Sequence, residues 1–313
     1  MTATASLRRT ALALAACLLA AGAAWAQPPA PGTLLGSTGN AGNALISVDT
    51  ATGTGTFLCG LGSLGSVTEI RHRADGVLFA TTGGGSSNLI TIDAGACTET
   101  LVGQHQFGAV NALAFVGNTL YGAYFDAGGA PGEGLPSVYL VTVDTATAQL
   151  TIIGQLPYDR VRGMAYNAAT ATMYGVGGSA PQPPSPTEGE VADELFTIDL
   201  GTADTTPVGS TGQALGALEI GTDGTLYAGE AISIPNEGSA GARLFTLDPA
   251  TGAATEVGFT DFPAVSGLSF VPGGTPGPGP SVLEIPTLGP AGLAGLGLLL
   301  AGGAVAILRR RRR

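Results

Sequence analysis

The sequence predicts an all-β fold: a five-bladed β-propeller of four-stranded blades, closed by strands from both chain ends and followed by a C-terminal transmembrane helix. Three observations predict it. One hairpin form recurs five times, two further strand types recur with it, and one strand copy is displaced from the end of the array to its beginning. Self-similarity at a period of roughly 50 residues marks a repeat architecture.

The hairpins are "LISVDTATGTGTFLCG" from Leu45, "LITIDAGACTETLVG" from Leu89, "LVTVDTATAQLTIIG" from Leu140, "LFTIDLGTADTTPVG" from Leu195 and "LFTLDPATGAATEVG" from Leu244. Apolar and polar residues alternate up to an aspartate, a Thr/Gly/Ala turn follows, and a second strand ends at a glycine. The marker aspartates are Asp49, Asp93, Asp144, Asp199 and Asp248. A carboxylate at that point can accept backbone N–H groups in the turn, and Gly53 or Gly252 supplies the positive φ, so these acids read as structural.

Two more strands recur in each unit. One is "SVTEIRH", "AVNALAF", "RVRGMAY", "ALGALEI" and "AVSGLSF"; the other is "VLFATT", "TLYGAY", "TMYGVG" and "TLYAGE". The fifth copy of the latter stands at the start, as "TLLGST" from Thr33. A ring of sheets must join its first and last blades, and sharing one blade between the two ends does so without an open edge. Residues 33–272 therefore read as the propeller, after a short lead at 27–32.

The "GLSF"-type strand is the innermost. Its copies give an apolar row, from Ile70, Leu113, Met164, Leu218 and Leu268 to His72, Phe115, Tyr166, Ile220 and Phe270, which is expected between blades. The alternate row is small (Ala112, Gly163, Ala217, Gly267, then Ala114, Ala165, Ser269) and suits a narrow channel. Glu69, Arg71 and Glu219 interrupt it. They form either a ligand site or a buried ion cluster. His72 reads as a packed core histidine.

Three long segments, 125–137, 178–194 and 231–242, follow the "LYG" strands of consecutive blades and should share one face with the blade connections. His105, Tyr158, Asp159, Arg160, Asp261 and Phe262 lie in those connections and are candidates for a shared surface that binds glycan or peptide. No zinc, calcium or phosphate-loop signature is present, so neither metal nor cofactor is expected.

The repeats resemble bacterial propellers with Leu-Tyr and Leu-x-x-Ile-Asp-x-x-Thr-Gly patterns, akin to NHL and quinoprotein-like propellers. The tryptophan that recurs in quinoprotein repeats is absent, since Trp25 is the only one. The resemblance bears on fold and leaves function open, because propellers host binding modules and enzymes alike.

The two ends carry address information. Residues 1–26 have a basic start at Arg8 and Arg9, an Ala/Leu-rich run and "AWA" before Gln27, the pattern of a cleaved secretory signal. The lipobox-like "LAAC" ending at Cys17 is a rival reading. After the Pro/Gly linker at 273–284, residues 288–308 are uncharged and, at about 1.5 Å per residue, span roughly 31 Å as a helix. Arg309, Arg310, Arg311, Arg312 and Arg313 would hold its end in the cytoplasm. Ile285, Pro286, Thr287 and Leu288, the helix and the arginines together resemble the IPTL-CTERM sorting signals related to those read by exosortases. Family members often continue with Ser and a nearby Trp, where this chain has Gly289 and Pro290. The resemblance implies signal peptidase and an exosortase-like enzyme as processing partners, a transient stay in the inner membrane, and delivery to the outer surface or medium.

Between signal and tail lie five arginines (Arg71, Arg73, Arg160, Arg162, Arg243), no lysine and 23 acidic residues, a balance of −18. Such a field repels phosphate backbones and argues against nucleic acid. An exported compartment permits a bond between Cys59 and Cys97. The repeat alignment places them in neighbouring units but near opposite ends of equivalent strands, which counts against it. The functional expectation is a non-enzymatic propeller that binds glycan or protein. The alternatives are a carbohydrate-active enzyme using acids such as Glu69 and Glu219, and a structural envelope or matrix component.

Overall fold

A computed structural model describes residues 28–39, 41–83, 87–106, 108–126, 137–178, 193–231 and 241–273. Residues 1–26, most of the three long loops, and the tail with its Ile285–Leu288 motif and arginine run lie outside the described residues. Among the described residues no helix is long and apolar enough to cross a membrane.

Within them the chain forms twenty strands in five four-stranded antiparallel sheets. Blade 1 begins with β1 (Leu34–Ser37), β2 (Ala44–Val48) and β3 (Gly55–Gly60). Blade 2 holds β4 (Ser66–His72), β5 (Leu78–Gly83), β6 (Asn88–Asp93) and β7 (Thr98–Gln104). Blade 3 holds β8 (Ala109–Val116), β9 (Thr119–Asp126), β10 (Ser137–Val143) and β11 (Leu150–Leu156). Blade 4 holds β12 (Arg160–Asn167), β13 (Thr172–Gly178), β14 (Glu194–Ile198) and β15 (Thr205–Ser210). Blade 5 holds β16 (Leu215–Ile220), β17 (Leu226–Glu230), β18 (Arg243–Leu247) and β19 (Ala254–Phe259). The last strand, β20 (Gly267–Phe270), completes blade 1.

The displaced repeat copy is thus the seam of the ring. β20 pairs antiparallel with β1 from Leu34↔Phe270 to Ser37↔Gly267. Backbone bonds from Gly32 to Val271 and from Val271 to Thr33, each 2.8 Å, extend the seam outward. β20 thereby covers the inner edge of β1, which is the physical reason for sharing the blade.

Each marker aspartate does the turn work its position suggests. One carboxylate oxygen of Asp49, Asp93, Asp144 and Asp199 accepts the N–H groups two and three residues on, at 2.8–3.1 Å. Asp248 does the same toward Ala250 at 2.8 Å. These bonds hold the turn carboxyls below the usual carboxylate range at Asp49, Asp144, Asp199 and Asp248. The residue four past each Asp turns left-handed. Gly53 and Gly252 have φ of 78°, while Cys97, Ala148 and Ala203 adopt 56–66° without being glycine.

The core is divided by junction. Five clusters of buried side chains lie between successive blades, and the apolar row of the inner strands supplies one residue to each: Ile70, Leu113, Met164, Leu218 and Leu268. Phe196 and Phe245 are the largest wholly buried side chains. Each such burial contributes about 1.5–3 kcal/mol over exposure.

Cys59, near the end of β3, and Cys97, just before β7, are free thiols, as their places in the strands suggest, yet both side chains pack in the cluster between blades 1 and 2. The turn of blade 2 reaches back over the end of β3, so opposite ends of equivalent strands meet across the junction.

Candidate functional site

The five inner strands β4, β8, β12, β16 and β20 surround a channel with a waist and two mouths. The waist is closed by charge. Glu69, Arg71 and Glu219 are all buried. One guanidinium nitrogen of Arg71 bonds Glu219, and the other donates to the carbonyls of Met164 and Leu218, each at 2.8 Å. Glu69 lies 3.7 Å from the same guanidinium, and its near oxygen accepts the Ile70 N–H at 3.0 Å. Its other oxygen has no hydrogen-bond partner among the described residues.

Burial pushes both carboxyls up, and Arg71 opposes the shift in each. Glu69 is raised the further, with Glu219 adding repulsion. The charged exceptions in the small row are therefore a plug, linking blades 2, 4 and 5 through one side chain.

Below the plug lies a cleft of about 300 Å³ lined by Arg71, His72, Phe115, Tyr166, Ser269 and Phe270, among others. Burial, helped by Arg71, lowers the His72 pKa to about 4, so the ring is neutral near pH 7. Its backbone N–H donates to the Ser269 hydroxyl at 2.8 Å, and that hydroxyl lies 2.9 Å from Nδ1. The neutral ring can accept the Ser269 proton there.

Above the plug is a cup of about 310 Å³. Thr68, Asn111, Arg162, Gly216 and Ser266 line it, with Thr38 at the rim. These five occupy one equivalent position of the five inner strands, directly before the waist residue. In four blades a β-bulge puts them there. The register jumps from Val67 to Glu69, from Val110 to Ala112, from Val161 to Gly163 and from Leu215 to Ala217. The skipped residue falls outside the pairing register and lines the mouth. A strict two-residue alternation hides this ring; the cue in the sequence is a polar or glycine column that lies between apolar and small residues in four of the five repeats, Glu69 being the exception.

The residues expected on a shared surface are distributed over separate blade junctions instead. His105 is buried, with Nδ1 2.9 Å from the Ala148 carbonyl, and burial lowers its pKa. Tyr158 is buried and stacked on Phe196 with centroids 3.9 Å apart, and its hydroxyl donates to Glu194 at 3.1 Å. Burial and the Glu194 charge push the phenol up to about 12. Arg160 pairs with the buried Asp193 at 3.1 Å, whose other oxygen accepts the Leu215 N–H at 2.7 Å. Phe262 packs into the cluster between blades 5 and 1, while Asp261 is exposed with φ of 62° and Asp159 is half-buried. Most of these side chains hold blades together, and none of the six lines the cup. Among the described residues no group of three or more His, Cys, Asp or Glu could hold a metal ion.

No family model and no curated protein matches the sequence. Solved structures of similar fold include a nidogen/laminin complex (10 % identity, TM-score 0.45, covering 76 % of this chain and 98 % of that one). Another is the periplasmic gluconolactonase PpgL of Pseudomonas aeruginosa (13 %, 0.41, 76 % and 98 %). A third is TolB from Acinetobacter baumannii (13 %, 0.42, 73 % and 52 %). At such identities and scores the likeness bears on neither ligand nor activity.

Proposed function

We propose that the protein is a binding module that holds a glycan or a peptide segment in the cup at the loop-bearing mouth of its channel. One observation carries this reading: five equivalent inner-strand positions deliver Thr68, Asn111, Arg162, Gly216 and Ser266 to one open cup, above a waist sealed by Arg71. Hydroxyl, amide and guanidinium groups around a shallow floor suit an oxygen-rich ligand recognised by hydrogen bonds. A carbohydrate-active enzyme would need two carboxyls free to act as acid and base on substrate. Glu69 and Glu219 are buried and share one arginine, which favours the binding reading.

Export and surface delivery belong to the same proposal, supported by the sequence of residues 1–26 and of the 285–313 tail. Signal peptidase and an exosortase-like enzyme would act in turn, with the inner membrane as an intermediate station. Mass spectrometry of the mature C-terminus from the native host tests this part, and an intact Arg313 would overturn it. Glycan and peptide arrays test the binding part. The expected result is binding that Asn111→Ala weakens; an absence of signal on both arrays, or indifference to Asn111→Ala, would count against the cup.

A further inference from the structure

We propose that Cys59 and Cys97 form a disulfide that staples blade 1 to blade 2. Two columns of the repeat single these residues out. Within each blade's hairpin, the residues paired with Leu45, Leu89, Leu140, Leu195 and Leu244 are Cys59, Gly103, Gly154, Gly209 and Gly258. Cys59 is the exception in a column that is otherwise glycine. The left-handed turn column reads Gly53, Cys97, Ala148, Ala203 and Gly252, and Cys97 is the exception in a column otherwise glycine or alanine.

The two columns meet across every other junction. A Cβ built on Gly103 would lie 3.1 Å from the Ala148 Cβ, and one on Gly154 would lie 2.9 Å from the Ala203 Cβ. A Cβ on Gly53 would lie 2.6 Å from the Gly258 carbonyl, and one on Gly209 would lie 2.2 Å from the Thr251 carbonyl beside Gly252. Four junctions thus keep this contact small. The fifth fills both positions, and fills them with cysteine.

Bonded cysteines have Cβ atoms about 3.5–4.5 Å apart. The spacing of these two columns at the sister junctions is close to that and slightly tighter, so the staple asks for a small opening rather than a closing of the junction. Both side chains pack in the cluster between blades 1 and 2, where the structure holds them as free thiols. The same junction is clamped by Glu99, which begins blade 2's outer strand. Its carboxylate accepts the Ser63 hydroxyl at 2.6 Å and the Leu64 N–H at 2.9 Å in the segment after β3. Approach at this point is therefore held by groups other than the cysteines.

The chemistry balances with a disulfide as oxidant. The half-buried Cys97 attacks as thiolate on one sulfur of the oxidant, whose other sulfur leaves as a thiol. Cys59 then displaces the second thiol from the mixed disulfide. Two protons and two electrons leave the protein in all, and the oxidant becomes two thiols. Burial and the neighbouring Cys97 push the Cys59 thiol up to about 12. The bond would tie β1–β3 to blade 2 and so support the noncovalent seam between β1 and β20.

The test uses the full-length chain with Cys17→Ser, leaving two cysteines, in a buffer of oxidised and reduced glutathione in which the oxidised form predominates. Remaining thiols are alkylated and the chain is cut with trypsin without reduction. Peptides 10–71 and 74–160 are expected as one linked species, separated by reduction, with the intact chain lighter by two hydrogens. Full alkylation of both cysteines, or a bond joining two chains, would overturn the proposal. The assay is done on purified protein, so its outcome is independent of ligand and of cellular address.

Discussion

The waist and the upper mouth of the channel are built by adjacent residues of the same five strands, and they are opposite in character. At the waist Glu69 and its equivalents Ala112, Gly163, Ala217 and Gly267 are buried, and Arg71, two residues further on, seals the floor. One residue earlier, Thr68, Asn111, Arg162, Gly216 and Ser266 line an open cup. In four blades a bulge makes the difference, by inserting a residue that falls outside the backbone pairing register. The sealed waist and the proposed recognition surface are separated by one position in the repeat. Stability should therefore respond to the waist and ligand binding to the mouth.

The strongest way to break this contrast is at Arg71. Arg71→Met strands Glu69 and Glu219 in the interior, and the expected loss in chemical denaturation is about 3–5 kcal/mol. Replacing all three groups by alanine, the residue found at Ala112 and Ala114 in blade 3, should recover most of that loss, because a small apolar waist needs no pairing. If the triple variant is as unstable as Arg71→Met, the plug is more than a balanced cluster.

A second break uses pH. The unfolded chain takes up a proton on His72 near 6.5, the folded chain only near 4. Its contribution is complete above pH 6.5 and is lost as pH falls toward 4, by up to about 3 kcal/mol. His72→Phe, matching Phe115 and Phe270, should remove that part of the acid sensitivity while the turn carboxylates keep theirs. Unfolding curves of the two chains at pH 7 and pH 4.5 check it; equal slopes would refute the assignment.

A third concerns close approach. A Cβ on Gly163 would meet the Leu218 nitrogen at 2.5 Å. Gly163→Ala should therefore cost about 1–3 kcal/mol by overpacking. The smallest effect on stability belongs to the mouth. Asn111→Ala should change the unfolding free energy by less than about 0.5 kcal/mol and still weaken ligand binding about ten-fold, a loss of about 1.4 kcal/mol in binding. A mouth variant that unfolds the ring would erase the distinction.

Much of this architecture is legible in the chain. Five hairpins with a shared aspartate and turn announce the blades, and "TLLGST" at the wrong end of the array announces the seam. The aspartates are legible because their bonds are local, reaching two and three residues on. The candidate face is less legible. His105, Tyr158 and Arg160 look like surface groups in a blade connection, but their partners Ala148, Glu194 and Asp193 are 33–43 residues away, so their burial is invisible locally. The cup is hidden for a different reason: strict alternation assigns every second residue to the channel, and a bulge shifts that count by one.

The sequence by itself determined the number of blades, their strand order and the closure of the ring, because repetition and alternation are written in nearest-neighbour patterns. Only the tertiary structure decided that Glu69, Arg71 and Glu219 form one plug, that the polar column before the waist lines the mouth, and that Cys59 meets Cys97. Those three outcomes depend on how separate blades stand against each other. That geometry is set by the packing of whole sheets around a common axis, and no single repeat contains it.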